Sequence, residues 1–209
     1  MNNLYLKLVF LAVSAIPLSS WALFEARLTY GSLTSQQDLS SVCQGSCLSP
    51  SGAPAIVPTF GLGVDAIIKL PLFPMGFGIR TEDMKLSAST SSIGAEIKYT
   101  RTAILINYRF IDTIIHFGPI ASFGVSHSGS VNLKENGTTK VDLVPSALSS
   151  YSLGLELGVK PLIVVPISIG AEVGYMSFKW GKLTNSVDSS QKDIDLSGTY
   201  LKIFLGVDI

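Results

Sequence analysis

Charge is what this 209-residue chain has least of: 14% of its residues are Asp, Glu, Lys or Arg, against about 25% on an ordinary soluble domain. Lys and Arg together number 15, as do Asp and Glu, and no basic run stands out. Nucleic acid is therefore excluded as a partner, because displacing its counterions takes clustered cations. There are two cysteines and two histidines, too few for a cysteine-rich scaffold, and no His or acid cluster lies near the cysteines to make a metal site with them. Long apolar runs are also missing from the body of the chain. The longest uncharged stretches, Leu39 to Val64 and Thr113 to Leu133, are broken by Gly, Ser and Pro, whereas a spanning helix needs roughly 18 or more apolar residues. Yet 47% of the residues are hydrophobic, which argues against disorder. An apolar chain without spanning helices has one other way across a bilayer, the closed β-barrel.

The first residues read as an export signal. Lys7 precedes an apolar run from Leu8 to Ile16, and small residues Ser20 and Ala22 mark a cut before Leu23, the layout of a secretory signal peptide. An uncleaved anchor is the weaker reading, since the run is short, and no Cys follows the cut to take a lipid. Residues 1–22 are thus assigned to the signal and 23–209 to one domain.

From there on the sequence alternates with period two, the signature of strands whose faces meet different surroundings. About eight segments do so: Phe24 to Gly31, Phe60 to Leu70, Phe77 to Glu82, Ile93 to Phe110, Ile115 to Val125, Tyr151 to Lys160, Ile167 to Tyr175 and Gly198 to Ile209. In the fourth, Ile97 and Tyr99 fall out of phase with Ile104, Ile106, Tyr108 and Phe110, which predicts a bulge or a strand rising above the lipid. Short turns near Pro71 to Pro74, Ile111 to Thr113 and Pro161 to Pro166 alternate with long polar segments near Thr34 to Pro58, Leu86 to Ser92, His127 to Ser150 and Lys182 to Ile194. The pattern predicts an all-β fold, an eight-stranded antiparallel up-and-down barrel with short turns on the periplasmic side. Asn136-Gly137 predicts a hairpin turn within the third long loop.

Which face is outside separates a membrane barrel from a soluble, lipocalin-like one. The polar phase is rich in glycine and carries Glu25, Arg27, Asp65, Lys69, Arg80, Glu82, Arg109, Glu156, Lys160, Glu172, Lys202 and Asp208. A Lys or Arg facing lipid near the midplane would cost about 2–4 kcal/mol, so this phase must point inward or into water. Its glycine content is too high for a water-facing surface, and no Gly-x-Trp lipocalin signature is present. The predicted interior is a charge-paired network of those groups; eight strands leave room for side chains but not for a diffusion pore. Aromatics near the strand ends predict two interfacial girdles, with Phe24, Phe73, Tyr108, Phe110 and Phe117 on the turn side and Tyr30, Phe60, Phe123, Tyr175 and Trp180 on the loop side.

On HFGPIASFGVS, SLGLELGVK, ISIGAEVGY and the closing YLKIFLGVDI, the chain resembles the small outer-membrane β-barrel superfamily of OmpA-type transmembrane domains and OmpX-like proteins. The resemblance implies residence in the outer membrane of a Gram-negative-type bacterium, contact with outer-membrane lipid, and transient handling by periplasmic chaperones and the barrel-assembly machinery. That family's last strand usually ends on an aromatic residue; here the corresponding position is Ile209.

Three further features bear on function. Cys43 and Cys47 in the first long loop read as a disulfide, with two free thiols as the alternative; so short a ring contributes roughly 2 kcal/mol. Catalysis would need a nucleophile, a base in reach and an orienting acid. His127 has Ser126 and Ser128 as neighbours, but adjacent strand residues point to opposite faces. A serine or acid from another strand, such as Ser152 or Glu172, is the remaining route, and His116 is expected inward on the turn side. Asp188, Asp193 and Asp195 lack the spacing of a calcium loop. No catalytic residue, cofactor or metal is assigned. The sequence favours a non-enzymatic structural or surface-interaction protein, with a lipid-modifying enzyme or a small-ligand or ion-conducting barrel as alternatives.

Overall fold

A computed structural model describes residues 24–35, 59–70, 73–89, 93–135, 138–144, 147–161, 166–185 and 191–209. The proposed signal peptide, the cysteine pair, Asn136, Gly137 and Asp188 lie outside them. The strands are β1 (Phe24–Ser35), β2 (Thr59–Lys69), β3 (Met75–Ser89), β4 (Ile93–Tyr108), β5 (Ile111–Asp112), β6 (Ile115–Glu135), β7 (Thr138–Val144), β8 (Ala147–Val159), β9 (Ile167–Asn185), β10 (Gln191–Asp195) and β11 (Gly198–Asp208). Eight of them form an antiparallel ring in the order β1-β2-β3-β4-β6-β8-β9-β11, and β11 returns to β1. That closing ladder runs from Glu25↔Asp208 to Ser35↔Gly198. Phe24 and Ile209 then lock the turn-side rim by exchanging backbone hydrogen bonds of 3.1 and 2.7 Å.

The alternation sorts side chains as a lipid-facing barrel requires. Leu62, Ile68, Ile79, Phe123, Leu153, Val173, Ile203 and Leu205 are among the large apolar residues exposed on the outer wall. Glu25, Arg27, Asp65, Arg80, Glu156 and Glu172 on the alternate phase are buried inside. This is a soluble protein's polarity reversed, the form expected when the solvent around the wall is hydrocarbon.

Above the belt the polarity flips again. Among the described residues the wall continues upward as strand: β3 and β4 leave only three residues between them, β6 pairs with β7, and β9 with β10. Four of the inward side chains at this height, Met84, Tyr99, Phe178 and Trp180, are apolar and almost fully buried. Thr100, Lys98 and Lys179 face outward and are exposed. Polar side chains outside and an apolar core within are the polarity of a wall that stands in water.

One sequence expectation is corrected by that inversion, and of the two alternatives for the phase break in β4 the bulge is removed. Trp180 belongs to no outer girdle: it lies on the inward phase of β9 with Met176 and Phe178, and its ring packs against Tyr99 and Phe178 with centroids 5.7 and 5.5 Å away. Tyr151, half exposed opposite Phe123, takes a girdle position instead. The phase break in β4 is no bulge in that strand, whose register with β3 is unbroken from Met75↔Tyr108 to Ser89↔Gly94. Tyr99 is simply inward where the interior has become apolar. The bulge sits on β6 at Val125, where the register with β4 shifts between Thr102↔Ser126 and Ala103↔Gly124.

Candidate functional site: the ion-paired barrel interior

The inward acids and bases gather into two tiers. Nearer the turns, Glu25 accepts from Arg27 Nε at 2.8 Å and from Arg109 Nη2 at 2.8 Å. Glu156 accepts from the same two arginines, Arg27 Nη1 at 2.7 Å and Arg109 Nε at 2.8 Å, and from Asn107 Nδ2 at 3.0 Å. Lys69 lies 2.6 Å from Asp208 and 3.1 Å from Glu25, and Lys160 bridges Asp112 and Asp208 at 3.1 Å each. Four cations thus meet four carboxylates.

Nearer the loops, Arg80 makes a two-pronged contact with Asp65 at 2.8 Å and another with Glu172 at 2.7 and 3.0 Å. Tyr200 donates to Glu172 at 2.6 Å. Glu82 is shared by Lys202 at 2.6 Å and Arg101 at 2.8 Å. Arg101 continues to Ser150 Oγ at 2.7 Å and Ser122 Oγ at 2.9 Å, and Ser122 meets Ser152 at 2.6 Å. Here three cations meet three carboxylates. Along β2, β4 and β6 the inward residues between the tiers are Ile67, Leu105 and Ile120, which form one buried cluster.

Each tier is neutral, and each buried charge reaches an opposite one. That is the condition under which ions persist away from water, since desolvation of an unpaired charge would cost several kcal/mol. Two-pronged arginine contacts also fix orientation, because the planar guanidinium matches a carboxylate edge to edge.

The twelve charged residues named from the sequence all lie on the inner wall. The network also takes in Arg101, Asn107, Asp112, Tyr200, Ser122 and Ser150, which the sequence does not single out, and Ser152, which it offers only as a catalytic partner. Arg101 shares the parity of Arg109 eight positions later, which places both on one face, but the apolar Tyr99 beside it obscured the phase. Ile67, Leu105 and Ile120 carried no signal, because an apolar residue on the polar phase reads as an irregularity.

Glycines supply the space for the larger groups. A Cβ at Gly118 would collide with the carbonyl oxygen of Tyr108 and lie 3.0 Å from Arg109 Cα. The end of β4 therefore crosses directly over Gly118 and turns Arg109 into the barrel. A Cβ at Gly158 would strike the imidazole of His116, and one at Gly170 the ring of Phe204. Phe204 itself carries the Arg27 guanidinium 4.5 Å above its ring, a favourable cation–π arrangement.

The histidines resolve differently from their sequence context. His116 is fully buried on the turn side, with neither ring nitrogen hydrogen-bonded among the described residues. The Val125 bulge places His127 on the side of Gly124, so Val125 is not its same-face neighbour as simple alternation implies. A Cβ at Gly124 would meet both the His127 ring and Ser150 Oγ. His127 Nδ1 lies 2.6 Å from Tyr99 OH, so the group orienting this imidazole is a phenol. Ser152 and Glu172 are engaged by Ser122 and Arg80. Among the described residues no group of three or more His, Cys, Asp and Glu could hold a metal. Asp195 instead caps the Ser197 amide at 2.9 Å and lies 3.6 Å from Lys179.

No protein-family model and no curated protein matches the chain. Among thirteen matching chains of solved structures is Neisserial surface protein A, 14% identical, covering 89% of this chain and 96% of that one at a TM-score of 0.48. The outer membrane protein OprG from Pseudomonas aeruginosa is also 14% identical, with 89% and 95% covered and a TM-score of 0.45. The outer membrane protease OmpT from Escherichia coli is 8% identical, with 90% and 94% covered and a TM-score of 0.40. The architecture rests on the chain's own ladders: a closed antiparallel barrel of eight principal strands, apolar outside and ion-paired within.

Proposed function

We propose that the chain is an integral outer-membrane barrel of a Gram-negative-type bacterium, exported by a cleaved signal peptide, whose role is structural or one of surface interaction and not enzymatic. The observation that carries this reading is the interior: neutral tiers of buried ion pairs fill the space a pore would need. The fixed wall is then a mount, and the parts free to vary are the strand extensions and loops above the lipid. Outer-membrane lipid is its standing partner, with periplasmic chaperones and the assembly machinery as transient ones.

Two measurements test this. Unboiled protein in detergent should migrate differently from boiled protein and fractionate with the outer membrane; identical migration and recovery in the soluble fraction would overturn the membrane reading. Lipid mass spectra of cells with and without the protein should coincide, and an altered acyl-chain pattern would replace the structural role with an enzymatic one.

A further inference from the structure

Three buried side chains near the turns keep polar atoms that the ion-pair network leaves unbonded. Ser168 Oγ, Arg27 Nη2 and both ring nitrogens of His116 have no hydrogen-bond partner among the described residues, and all three residues are at most 2% exposed. A buried donor or acceptor left unmade costs stability, so native interiors give such groups a partner, often an ordered water.

Gly206 ties two of them to one place. It is the rung partner of Ser168 on one side and of Arg27 on the other. A Cβ on Gly206 would touch Ser168 Oγ and lie 3.3 Å from Glu25 Oε1 and 3.5 Å from Arg27 Cγ. The hydroxyl and the carboxylate oxygen thus border the same point, yet Ser168 makes no direct bond to it. Oxygens so placed are within the span of one bridging water, whose two hydrogen bonds each reach up to about 3.0 Å.

His116 lies on the same floor of glycines. Gly158 and Gly170 are rung partners; the His116 ring covers the first and the Phe204 ring the second. The two rings are 5.7 Å apart, and Phe204 carries the Arg27 guanidinium 4.5 Å away. A neutral imidazole has one donor and one acceptor nitrogen, and water can serve either. Charge selects the occupant. The tier's four cations already match four carboxylates, so an added ion of either sign would stand unbalanced in a buried place, whereas water is neutral and both gives and takes hydrogen bonds. Access comes from the turn side. Asp112, the rung partner of His116, is 34% exposed in its side chain, and Lys69, 3.1 Å from Glu25, is 14% exposed. Toward the loops the interior is closed by Met84, Tyr99, Phe178 and Trp180.

We propose that an otherwise dry interior binds ordered water at its turn-side end alone. One molecule bridges Ser168 Oγ to Glu25 Oε1, with Arg27 Nη2 as a further donor, and a second bonds His116. The waters are part of the wall's construction, and they make its two ends unequal: linked to solvent at the turns and sealed at the loops.

The test is water-to-protein NOE spectroscopy of the folded barrel in detergent micelles. NOEs with the sign of long-lived bound water should reach the Gly206 Hα protons and His116 Hε1, and none should reach the Phe178 ring or the Met84 methyl. Ser168→Ala should abolish the Gly206 signal, leave that of His116, and lower the urea midpoint for unfolding, because a bridged hydroxyl is being lost. A hydroxyl with nothing to bind is better removed, so an unchanged or higher midpoint would overturn the site. Absence of both NOEs, or NOEs with the sign of freely diffusing water, would overturn it too. Equal NOEs at Phe178 and Met84 would overturn the one-sided sealing.

Discussion

Glu25 and Arg109 are 84 positions apart in the chain and 2.8 Å apart inside the barrel. They join the first strand to the turn after the fourth, across the lumen. Because Arg27 and Glu156 complete the same square, removing one member leaves an arginine short of a partner in a dry interior. Glu25→Ala should destabilise the barrel by about 3–5 kcal/mol, read as a lower urea midpoint for unfolding from detergent micelles. Glu25→Gln combined with Arg109→Met should cost less than the sum of the two single changes. Strict additivity would show that the pair is not coupled.

At Gly118 the wall tolerates no side chain. With the Tyr108 carbonyl occupying the place of its Cβ, Gly118→Ala must push the β4 end outward and take Arg109 with it. The overpacking cost is about 1–3 kcal/mol, added to the loss of the Arg109 contacts. The variant should show little of the fast-migrating folded band on a detergent gel. Gly94→Ala, where a Cβ meets nothing within 4 Å, should fold like the parent.

The lipid-facing assignment has a sharp test on β11. Ile203 is 59% exposed between Tyr30 and Ala171 on the neighbouring strands. Ile203→Arg should cost about 2–4 kcal/mol of folding stability in a bilayer if the position is near the midplane. A barrel standing in water would register a surface change of this kind within about 0.5 kcal/mol.

On the loop side of the wall, Glu96 lies 3.3 Å from Lys98 and 3.5 Å from Lys85. The hydrogen bond and charge of Lys98 hold its carboxyl below the usual carboxylate range, with Lys85 contributing less. A depressed value in the folded state means that any stabilisation is complete above the ordinary glutamate pKa and is lost as pH falls through the folded one. A carbon-detected NMR titration should find Glu96 ionised at a pH where free glutamate is protonated, and Lys98→Gln should return it toward normal. The shift should shrink in high salt, since the pair is solvent-screened.

Much of this architecture can be read from the chain alone, and the limit falls at the membrane surface. Inside the belt every outward position must be apolar and every inward charge must be paired, so Leu153, Leu155 and Leu157 against Gly154 and Glu156 announce both strand and orientation. Past the belt water lies outside the wall and apolar side chains turn inward, which is why Trp180 looks like a girdle residue and is a core residue. The Val125 bulge shifts one strand by a single residue, and the Gly124 beside it is one of many glycines on the inward phase and so does not single it out; the shift reassigns the neighbours of His127. Pairing partners are a third limit. Alternation places Arg80 and Glu172 on the inner wall, but only the curvature of the closed ring brings them within 2.7 Å.

The closing ladder also sets a schedule. Thr199 Oγ1 donates to Thr34 Oγ1 across a separation of 165 positions, and no rung of that seam can form until the last strand is available. Until then β1 is an open edge with its backbone groups unpaired, the state most exposed to mispairing with other chains. Contacts this distant in sequence are also the slowest to find by chance. The ring topology that leaves the finished wall without edges therefore makes the unfolded chain vulnerable to its neighbours, and ties the moment of folding to the arrival of its final strand.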